Sequence, residues 1–371
     1  MPSKTTPRVL AASLLTAMGT AAVAGPVYET GSGGTFTYYG QFNPSVLSFD
    51  DGTTTTDDVA DNAASGSRVG FLITQPFGGN ELRFRFETAL GFRGTDGISQ
   101  TSTPKGVDWD RTRLRHVDVQ FQTASYGTFY FGQGSMASDG IGDRSLAGTG
   151  LATSVSIGDT AGSFEFRTTS GALSGIEIGD AFANFDGSRR GRIRYDTPEF
   201  SGFTFSIAYG QDILSEGNDD DFYDIGLGYE NEFANGIEME AGLGYQVRER
   251  DGAQDREDTF ASISFLLPSG VNATFAAGDR NTSGNYSYIK LGYTFDVLAV
   301  GSTAVSVDFY SGSDNVTNGD EAEAWGLAIV QDFDTANVEA YFGYRNYSYS
   351  DTTATSYEDA DGMILGARWR F

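Results

Sequence analysis

The chain has 371 residues, and its 24 Lys plus Arg against 50 Asp plus Glu give a formal net charge of −26. Phosphate binding needs clustered positive charge, so this balance argues against nucleic acid as a partner. The absence of Cys excludes disulfides and cysteine-ligated metals, and 49 Gly, 28 Phe and 19 Tyr with only 8 Pro favour short aromatic strands and tight turns.

Residues 1–24 have the pattern of a secretory signal peptide. Lys4 and Arg8 supply positive charge, an apolar run follows from residue 9 to 22, and Ala22-Val23-Ala24 offers small residues for cleavage. After this segment the sequence has no apolar run long enough for a membrane-spanning helix, which leaves a soluble secreted protein or a β-barrel. We therefore predict an exported mature chain of residues 25–371.

Beyond the signal peptide, apolar and polar residues alternate with the two-residue period of β-strands. In residues 237–247 the odd positions are mostly apolar and the even ones are Glu, Gly or Gln, and residues 363–371 close the chain in the same way on Phe371. Short turns alternate with longer polar loops, as expected for a barrel whose termini are both periplasmic, and such a barrel has an even number of strands. The count is about 16, which predicts an all-β antiparallel transmembrane barrel with an aqueous lumen. The predicted strands are residues 35–42, 67–74, 81–92, 114–123, 127–133, 190–197, 203–210, 222–233, 237–247, 259–267, 271–278, 286–295, 303–310, 325–333, 338–347 and 363–371.

Five arginines on the polar face of early strands predict a basic wall inside the barrel. Facing lipid at mid-membrane, each would cost about 2–4 kcal/mol, whereas a water-filled bore accommodates them. Solvation or ion pairing within the wall is the alternative. Arg111, Arg113 and Arg115 share the parity of Val117 and are predicted to lie at the outer rim or behind a bulge. The predicted wall residues are Arg68, Arg83, Arg85, Arg192 and Arg194.

Residues 134–189, after the fifth strand, form the longest interruption of the strand pattern. A loop of this length in a compact protein is usually functional, and its apolar residues, such as Phe164 and Phe182, predict packing against the barrel rather than an exposed excursion. Its acids are the candidates to oppose the basic wall. They are Asp139, Asp143, Asp159, Glu165, Glu177, Asp180 and Asp186.

Four segments carry a family resemblance: SRVGF at residues 67–71, YGTFYFGQ at 126–133, GRIRYDTPEFSGFTFSIAYG at 191–210 and the closing GARWRF. In this order they resemble the trimeric general porins of Gram-negative outer membranes, α-proteobacterial type, and the Arg-x-Arg-Tyr-Asp-x-Pro block is the most specific. The resemblance implies a homotrimer in contact with outer-membrane lipid and lipopolysaccharide. It also implies that the loop after strand five folds into the lumen, where its acids face arginines across a narrow eyelet. The chain departs at Gln133, where many relatives carry Arg.

These observations predict an outer-membrane channel for passive diffusion of small hydrophilic solutes and ions. Mild cation selectivity is expected because the acids outnumber the basic residues. No enzyme is predicted, since His116 is the only histidine and no Cys occurs; the catalytic alternative is a Ser–His lipase barrel. A substrate-selective channel on the same barrel and a non-conducting surface barrel, plugged by the long loop, are the remaining alternatives.

No cofactor is predicted. The acidic runs at residues 219–221 and 255–258 could hold Ca²⁺ at outer loops, but they lack the spacing of an EF-hand and are interpreted as solvated runs.

Overall fold

Neighbouring strands pair antiparallel in chain order until the last strand meets the first. The computed structural model describes residues 26–217, 219–250 and 252–371, and the predicted signal peptide, residues 1–24, lies outside them. The closed barrel has 16 strands, which confirms the predicted all-β fold and strand number. Closure pairs the strand edges with each other, so the backbone polar groups are satisfied where water is absent.

Two barrel strands are each divided into two segments, and a few short strands, helices and 3₁₀ turns lie outside the 16 barrel strands. The first barrel strand is β2 with β3, the second is β4 with β5, and β1 pairs with β2. The elements are β1 (Val27–Glu29), β2 (Thr35–Phe42), β3 (Pro44–Asp50), β4 (Thr55–Asp61), β5 (Arg68–Phe77), β6 (Asn80–Ala89), β7 (Leu114–Gln122), β8 (Thr128–Ser135), α1 (Gly158–Ala161), β9 (Glu165–Arg167), β10 (Leu173–Glu177), α2 (Ile178–Ala181), β11 (Arg189–Asp196), β12 (Phe203–Gln211), β13 (Asp221–Glu232), β14 (Glu238–Glu249), β15 (Arg256–Leu266), β16 (Val271–Arg280), β17 (Asn285–Phe295), β18 (Thr303–Ser313), β19 (Glu321–Phe333), β20 (Val338–Ser350) and β21 (Ala360–Arg370), with 3₁₀ turns at Ala63–Ser65, Thr95–Gly97, Arg111–Arg113 and Asp334–Ala336.

No helix within the described ranges is long and apolar enough to cross a bilayer.

Phe371 joins the last barrel strand to the first through backbone hydrogen bonds with Gly40. Its N–H donates to the Gly40 carbonyl at 3.0 Å, and its own carbonyl accepts from Gly40 N–H at 2.9 Å. A Cβ on Gly40 would lie 2.6 Å from the Phe371 ring, so only glycine leaves room for that ring. The apolar ending noted in the sequence therefore joins the last strand to the first.

The two faces of each strand differ as the alternation predicts. In β19, Trp325, Leu327 and Ile329 are exposed, whereas Ala328 and Val330, which alternate with them, are buried. In β19 the large apolar side chains thus point outward, towards hydrocarbon in a membrane, and smaller ones point inward. Small inward residues leave space inside the barrel, and the long loop between β8 and β11 occupies part of it.

Candidate functional site

The long loop, residues 136–188, turns inward as soon as it leaves β8. The backbone N–H groups of Ala137 and Ser138 donate to the Asp224 carboxylate on β13 at 3.1 and 2.9 Å. A Cβ on Gly226 would lie 2.4 Å from the Ala137 carbonyl oxygen, so this glycine lets the loop backbone touch the wall. Asp224 therefore marks the interior face of the sheet and fixes the entry of the loop.

Hydroxyl side chains then guide the loop along the wall. Leu146 N–H donates to Ser264 Oγ on β15 at 2.9 Å, and the Thr149 and Ser306 hydroxyls lie 2.8 Å apart. Lys290 Nζ on β17 donates to the Thr153 carbonyl at 3.0 Å. These contacts run from β15 to β18, so the loop lines one side of the lumen.

Aromatic pairs hold the second half of the loop. Phe164 stacks on Phe49 with ring centroids 4.1 Å apart, and Phe182 meets Tyr347 edge-on at 5.7 Å. Each such pair contributes about 0.5–1.5 kcal/mol beyond the burial of apolar area. This burial confirms that the loop folds into the barrel rather than remaining in outer solvent.

Within the long loop, β9 and β10 form a hairpin, the outer hairpin, that reaches the outer ends of the strands. Its Arg167 carbonyl accepts from Glu358 N–H at 2.7 Å, and Arg167 Nη2 lies 2.7 Å from Asp51 Oδ2 in the turn between β3 and β4. Glu165 accepts from Gly175 N–H inside this hairpin, and Glu177 ends it as an exposed residue. These two predicted acids therefore belong to the outer hairpin.

Protonation of Asp51 in strong acid should break its contact with Arg167 and release the outer hairpin. Burial opposes ionisation of Asp51, but hydrogen bonds from Arg167 and from backbone N–H groups of the turn outweigh it and lower the pKa from 3.8 to about 2. When folding lowers the pKa of a carboxyl group, that group stabilises the folded state at every pH above its unfolded-state pKa. The stabilisation is lost as the pH falls through the folded-state pKa. Single channels should become noisy as the outer pH approaches about 2, and Arg167→Gln should show that noise at neutral pH. Lys105→Gln, on an exposed outer loop, is the control; equal noise in this variant would contradict the role of the contact.

Opposite the loop, four arginines and one glutamate form what we call the arginine wall: Arg68, Arg85, Arg115, Arg189 and Glu87. Glu87 lies 3.8 Å from Arg68, 3.2 Å from Arg85 and 2.5 Å from Arg115, and it is only 3% exposed. Arg189 is close enough to Arg68 and Arg115 for their charges to repel. The arginine side chains retain exposures of 21%, 17%, 26% and 32%, respectively, so water reaches them inside the barrel.

Arg115 joins this wall through a β-bulge. Glu87 pairs with His116 and Thr88 pairs with Leu114, which leaves Arg115 as the extra residue. An extra residue rotates the strand locally and re-aims the side chain. Strict alternation alone would have directed Arg115 towards lipid, and the bulge predicted as one alternative is present.

Arg111 and Arg113 lie outside the strand, in the 3₁₀ turn before β7, and both are exposed. Arg111 Nη2 lies 2.9 Å from Glu216 Oε1, so this arginine belongs to the outer rim.

Three of the predicted wall arginines are held by their own carboxylates. Arg192 Nη2 lies 2.7 Å from Asp118 Oδ2, and Arg194 Nε lies 2.7 Å from Asp196 Oδ1. Arg83 pairs with Glu81. Arg194 also donates to the Met136 carbonyl at 2.6 Å. Arg192 and Arg194 therefore fix the root of the long loop, and the alternative of ion pairing within the wall describes all three.

The remaining predicted acids fall at three places along the long loop. At its root, Asp139 Oδ2 lies 3.8 Å from Arg189 Nη2, and Asp186 accepts from the N–H groups of Gly140 and Gly142 at 2.8 and 2.7 Å. Asp143 is exposed on the inward stretch. Asp159 on α1 is half-buried, and Asp180 on α2 is exposed. The structure thus brings Asp139 to the arginine wall and leaves Asp159 and Asp180 farther along the loop.

A family model described as Gram-negative porin matches residues 10–352. The chain belongs to the Gram-negative porin family. It is an outer-membrane channel, consistent with its closed barrel and its charged interior. No curated protein sequence matches the chain.

Solved porins share the fold of this porin at low sequence identity. An anion-selective porin from Comamonas acidovorans aligns with a TM-score of 0.61 and 18% identity, covering 91% of this chain and 100% of that one. OprB of Pseudomonas putida gives a TM-score of 0.62 and 10% identity, with 91% and 94% covered. OmpF of Salmonella typhi aligns with a TM-score of 0.53 and 14% identity, covering 93% of this chain and 100% of that one.

Gln133 of this porin pairs with Val117 on β7 and with Gly191 on β11, and it is only 5% exposed. That Gln in place of Arg removes a cation from the wall stays a prediction.

The acidic runs of the outer loops have partners within the chain. Asp220 Oδ2 lies 2.5 Å from Arg248 Nε, Asp258 Oδ1 lies 2.6 Å from Arg280 Nε, and Asp221 accepts from Tyr209 Oη at 2.8 Å. In the part of the porin that the structure describes, no group of three or more His, Asp or Glu is arranged to hold a metal ion. Calcium binding at these acids stays a prediction.

Proposed function

We propose that this porin is a general diffusion channel through which small hydrophilic solutes and ions pass without chemical change. The observation that carries the proposal is that charged interior side chains remain exposed with the long loop in place. Arg115 and Arg189 are 26% and 32% exposed, and Asp143 on the inward stretch of the loop is exposed too. A loop that plugged the lumen would have buried these side chains.

Such a channel would select solutes by the width of its narrowest gap and by the electric field across that gap. The wall contacts fix the loop, so the gap between loop and arginine wall sets the size limit. Positive charge on one side and carboxylates on the other create a transverse field that orders water, and a solute unable to replace those water contacts is penalised.

We propose a mild preference for cations. Arg83, Arg192 and Arg194 are paired with Glu81, Asp118 and Asp196, which removes much of their attraction for anions. The exposed Asp143 and Asp180 lie on the loop, and acidic linings lower the barrier for cations.

The reversal potential in a KCl gradient should therefore have the sign of cation preference. The effect should be largest near 0.01 M, where the Debye length is about 30 Å, and small near 1 M, where it is about 3 Å. Planar-bilayer recordings measure it directly, with a neutral sugar added as a control for pore width. Anion preference at low salt would overturn the proposal.

Two measurements separate the general channel from its alternatives. Swelling of liposomes in small sugars argues against a plugged, non-conducting barrel. Conductance that grows linearly with salt supports general diffusion, whereas saturation at low solute concentration supports a substrate-selective channel.

We further propose that the mature chain, residues 25–371, forms a homotrimer of the α-proteobacterial type in contact with lipopolysaccharide. The sequence resemblance supports this, and one solved OmpT of Vibrio cholerae is described as a trimer form. Amino-terminal sequencing of the protein from outer membranes tests signal cleavage, and light scattering in detergent tests the oligomer. A monomer would refute the assembly without affecting the channel proposal.

A further inference from the structure

A second group of arginines lies at the outer ends of the strands, and it begins next to the arginine wall, because Arg190 follows Arg189 on β11. We call Arg190, Arg248, Arg256 and Arg280 the vestibule arginine row. Their strands are β11, β14, β15 and β16, and the residues of the row belong to the outermost ends of these strands.

The strand register places the row inside the barrel. Asp224, which holds the root of the long loop, pairs with Gln246, and Gln246 pairs with Asp258. Asp258 in turn pairs with Arg280, whose guanidinium lies 4.2 Å from the centroid of the loop residue Phe185. Paired residues share a face of the sheet, so the row continues the interior face above the loop root.

Phe222 on β13 joins the row into one surface. The Arg190 guanidinium lies 4.2 Å from the centroid of its ring, and that of Arg248 lies at 5.5 Å. Between β11 and β13 stands Gly210, and a Cβ there would lie 2.9 Å from the Arg190 Cβ. This glycine clears the way for Arg190 to reach the ring, so arginines from separate strands are held at a common aromatic platform.

The register also sets two like charges side by side. Arg248 and Arg256 are direct cross-strand partners, and directly opposed residues have their Cβ atoms about 5 Å apart. Like charges directly opposite each other destabilise a sheet. Their side chains are 33% and 31% exposed, so a solute in the vestibule can reach both.

The carboxylates of the chain hold the row in place from beneath and from the side. Asp258, which is fully buried, lies 2.6 Å from Arg280 Nε and 3.3 Å from Arg256 Nε, and Asp220 lies 2.5 Å from Arg248 Nε. Asp139 and Asp212 attract Arg190, whose buried Nε has no hydrogen-bond partner among the described residues. Asp220 and Asp258 contact Arg248 and Arg256 through their Nε atoms, and both arginine side chains keep about a third of their surface exposed, at 33% and 31%.

We propose that the vestibule arginine row binds multivalent oxyanions, solutes that carry a phosphate group or adjacent carboxylates, before they reach the constriction. Guanidinium groups match phosphate and carboxylate oxygens with paired hydrogen bonds, and neighbouring forks bind one polyanion better than two separate anions. The place of the site on a permeation route rests on the proposed function, whereas the binding itself does not. Monovalent ions are held weakly, so the row is compatible with a cation-preferring pore.

Titration of pyrophosphate into the purified protein in detergent tests the site without any need for conduction. In about 0.1 M KCl, with a Debye length of about 10 Å, binding of pyrophosphate should weaken roughly tenfold or more in the Arg248→Gln/Arg256→Gln variant, which is about 1.4 kcal/mol per tenfold. The Arg248→Lys/Arg256→Lys variant keeps the positive charges but loses the paired N–H donors of the guanidinium groups. Its affinity for pyrophosphate should lie between those of the unchanged protein and the double Gln variant. Arg111→Gln, at the outer rim, is the matched control and should bind as the unchanged protein does. Equal affinity in the double Gln variant would overturn the proposal.

Planar bilayers test the same site as part of a channel. KCl current in the unchanged protein tests conduction first, so failure of the channel proposal is seen separately. Pyrophosphate added on the side of the bilayer that the outer ends of the strands face should then reduce the current, and this reduction should be lost in Arg248→Gln/Arg256→Gln. A reduction that persists in this variant but disappears in Arg68→Gln/Arg115→Gln would assign binding to the arginine wall and refute the vestibule site. Circular dichroism and heat-dependent migration on gels verify that each variant folds.

Discussion

Replacing Asp308 with Asn is expected to destabilise the barrel and loosen the middle of the long loop. Asp308 is fully buried and lies 2.7 Å from Arg345 Nη2, and it accepts from Tyr288 Oη at 2.8 Å. Lys290, which is 1% exposed, is attracted by the same carboxylate and donates to the loop carbonyl of Thr153. Asn keeps the shape but removes the negative charge, so two buried cations lose their counter-ion beneath the loop. Loss of one partner from a buried pair costs about 3–5 kcal/mol.

Urea unfolding of the purified protein, followed by circular dichroism, measures the loss of stability. Single-channel noise reports the loop, because Thr153 lies on the segment that Lys290 holds. Glu216→Gln is the matched control, since it removes the 88%-exposed partner of Arg111, and surface pairs contribute only about 0–1 kcal/mol. A stability equal to that of the control would show that Asp308 is not the counter-ion of the cluster.

The barrel could be predicted from the sequence because its two faces meet different solvents. Hydrocarbon outside and water or protein inside impose a two-residue period, which is visible in residues such as Met363 and Leu365 without knowledge of strand pairing. The long loop could be predicted too, since its phenylalanines require burial. Residues 325–333 were predicted as a strand, and β19 begins earlier, at Glu321, because its polar outer end continues beyond the apolar band.

The ion pairs of the site were harder to predict, because most of them depend on register. Arg192 and Asp118 lie on β11 and β7, with β8 between them, and no local pattern relates the two residues. Asp196 with Arg194 is different, since residues two apart on a strand share a face and the pairing is visible in the sequence. Arg115 shows a third case: the bulge depends on how β6 and β7 meet, and parity counted along one strand cannot locate it.

The vestibule arginine row could not be predicted from the sequence for the same reason. Arg248 and Arg256 are opposite each other only because the turn between β14 and β15 sets that register. Composition points the other way, since a net charge of −26 suggests nothing that attracts anions. Local charge at a site is decided by which few side chains the sheet brings together, so a strongly acidic chain can still contain a basic surface.

Glu87→Gln is expected to shift the channel strongly towards anions. Glu87 contacts Arg68, Arg85 and Arg115 and accepts from Tyr39 Oη at 2.9 Å, so its carboxylate offsets part of the charge of the arginine wall. Gln has nearly the same shape but carries no charge, and the wall gains one net positive charge. At 4 Å in bulk water one unit charge is worth about 1 kcal/mol, which corresponds to roughly a fivefold change in the ratio of cation to anion permeability. Reversal potentials in a KCl gradient at low salt measure this change.

Two variants decide whether that change comes from charge or from displaced arginines. Asp139→Asn removes a carboxylate next to Arg189 without touching Glu87 and should shift the potential in the same direction by a smaller amount, because the two groups are 3.8 Å apart. Glu87→Asp keeps the charge while shortening the side chain, so it should retain the original selectivity if charge is the cause. A similar anion shift in Glu87→Asp would show that Glu87 acts by positioning the three guanidinium groups. An unchanged potential in Glu87→Gln would mean that the arginine wall does not border the narrowest part of the pore, and the proposed origin of selectivity would have to be abandoned.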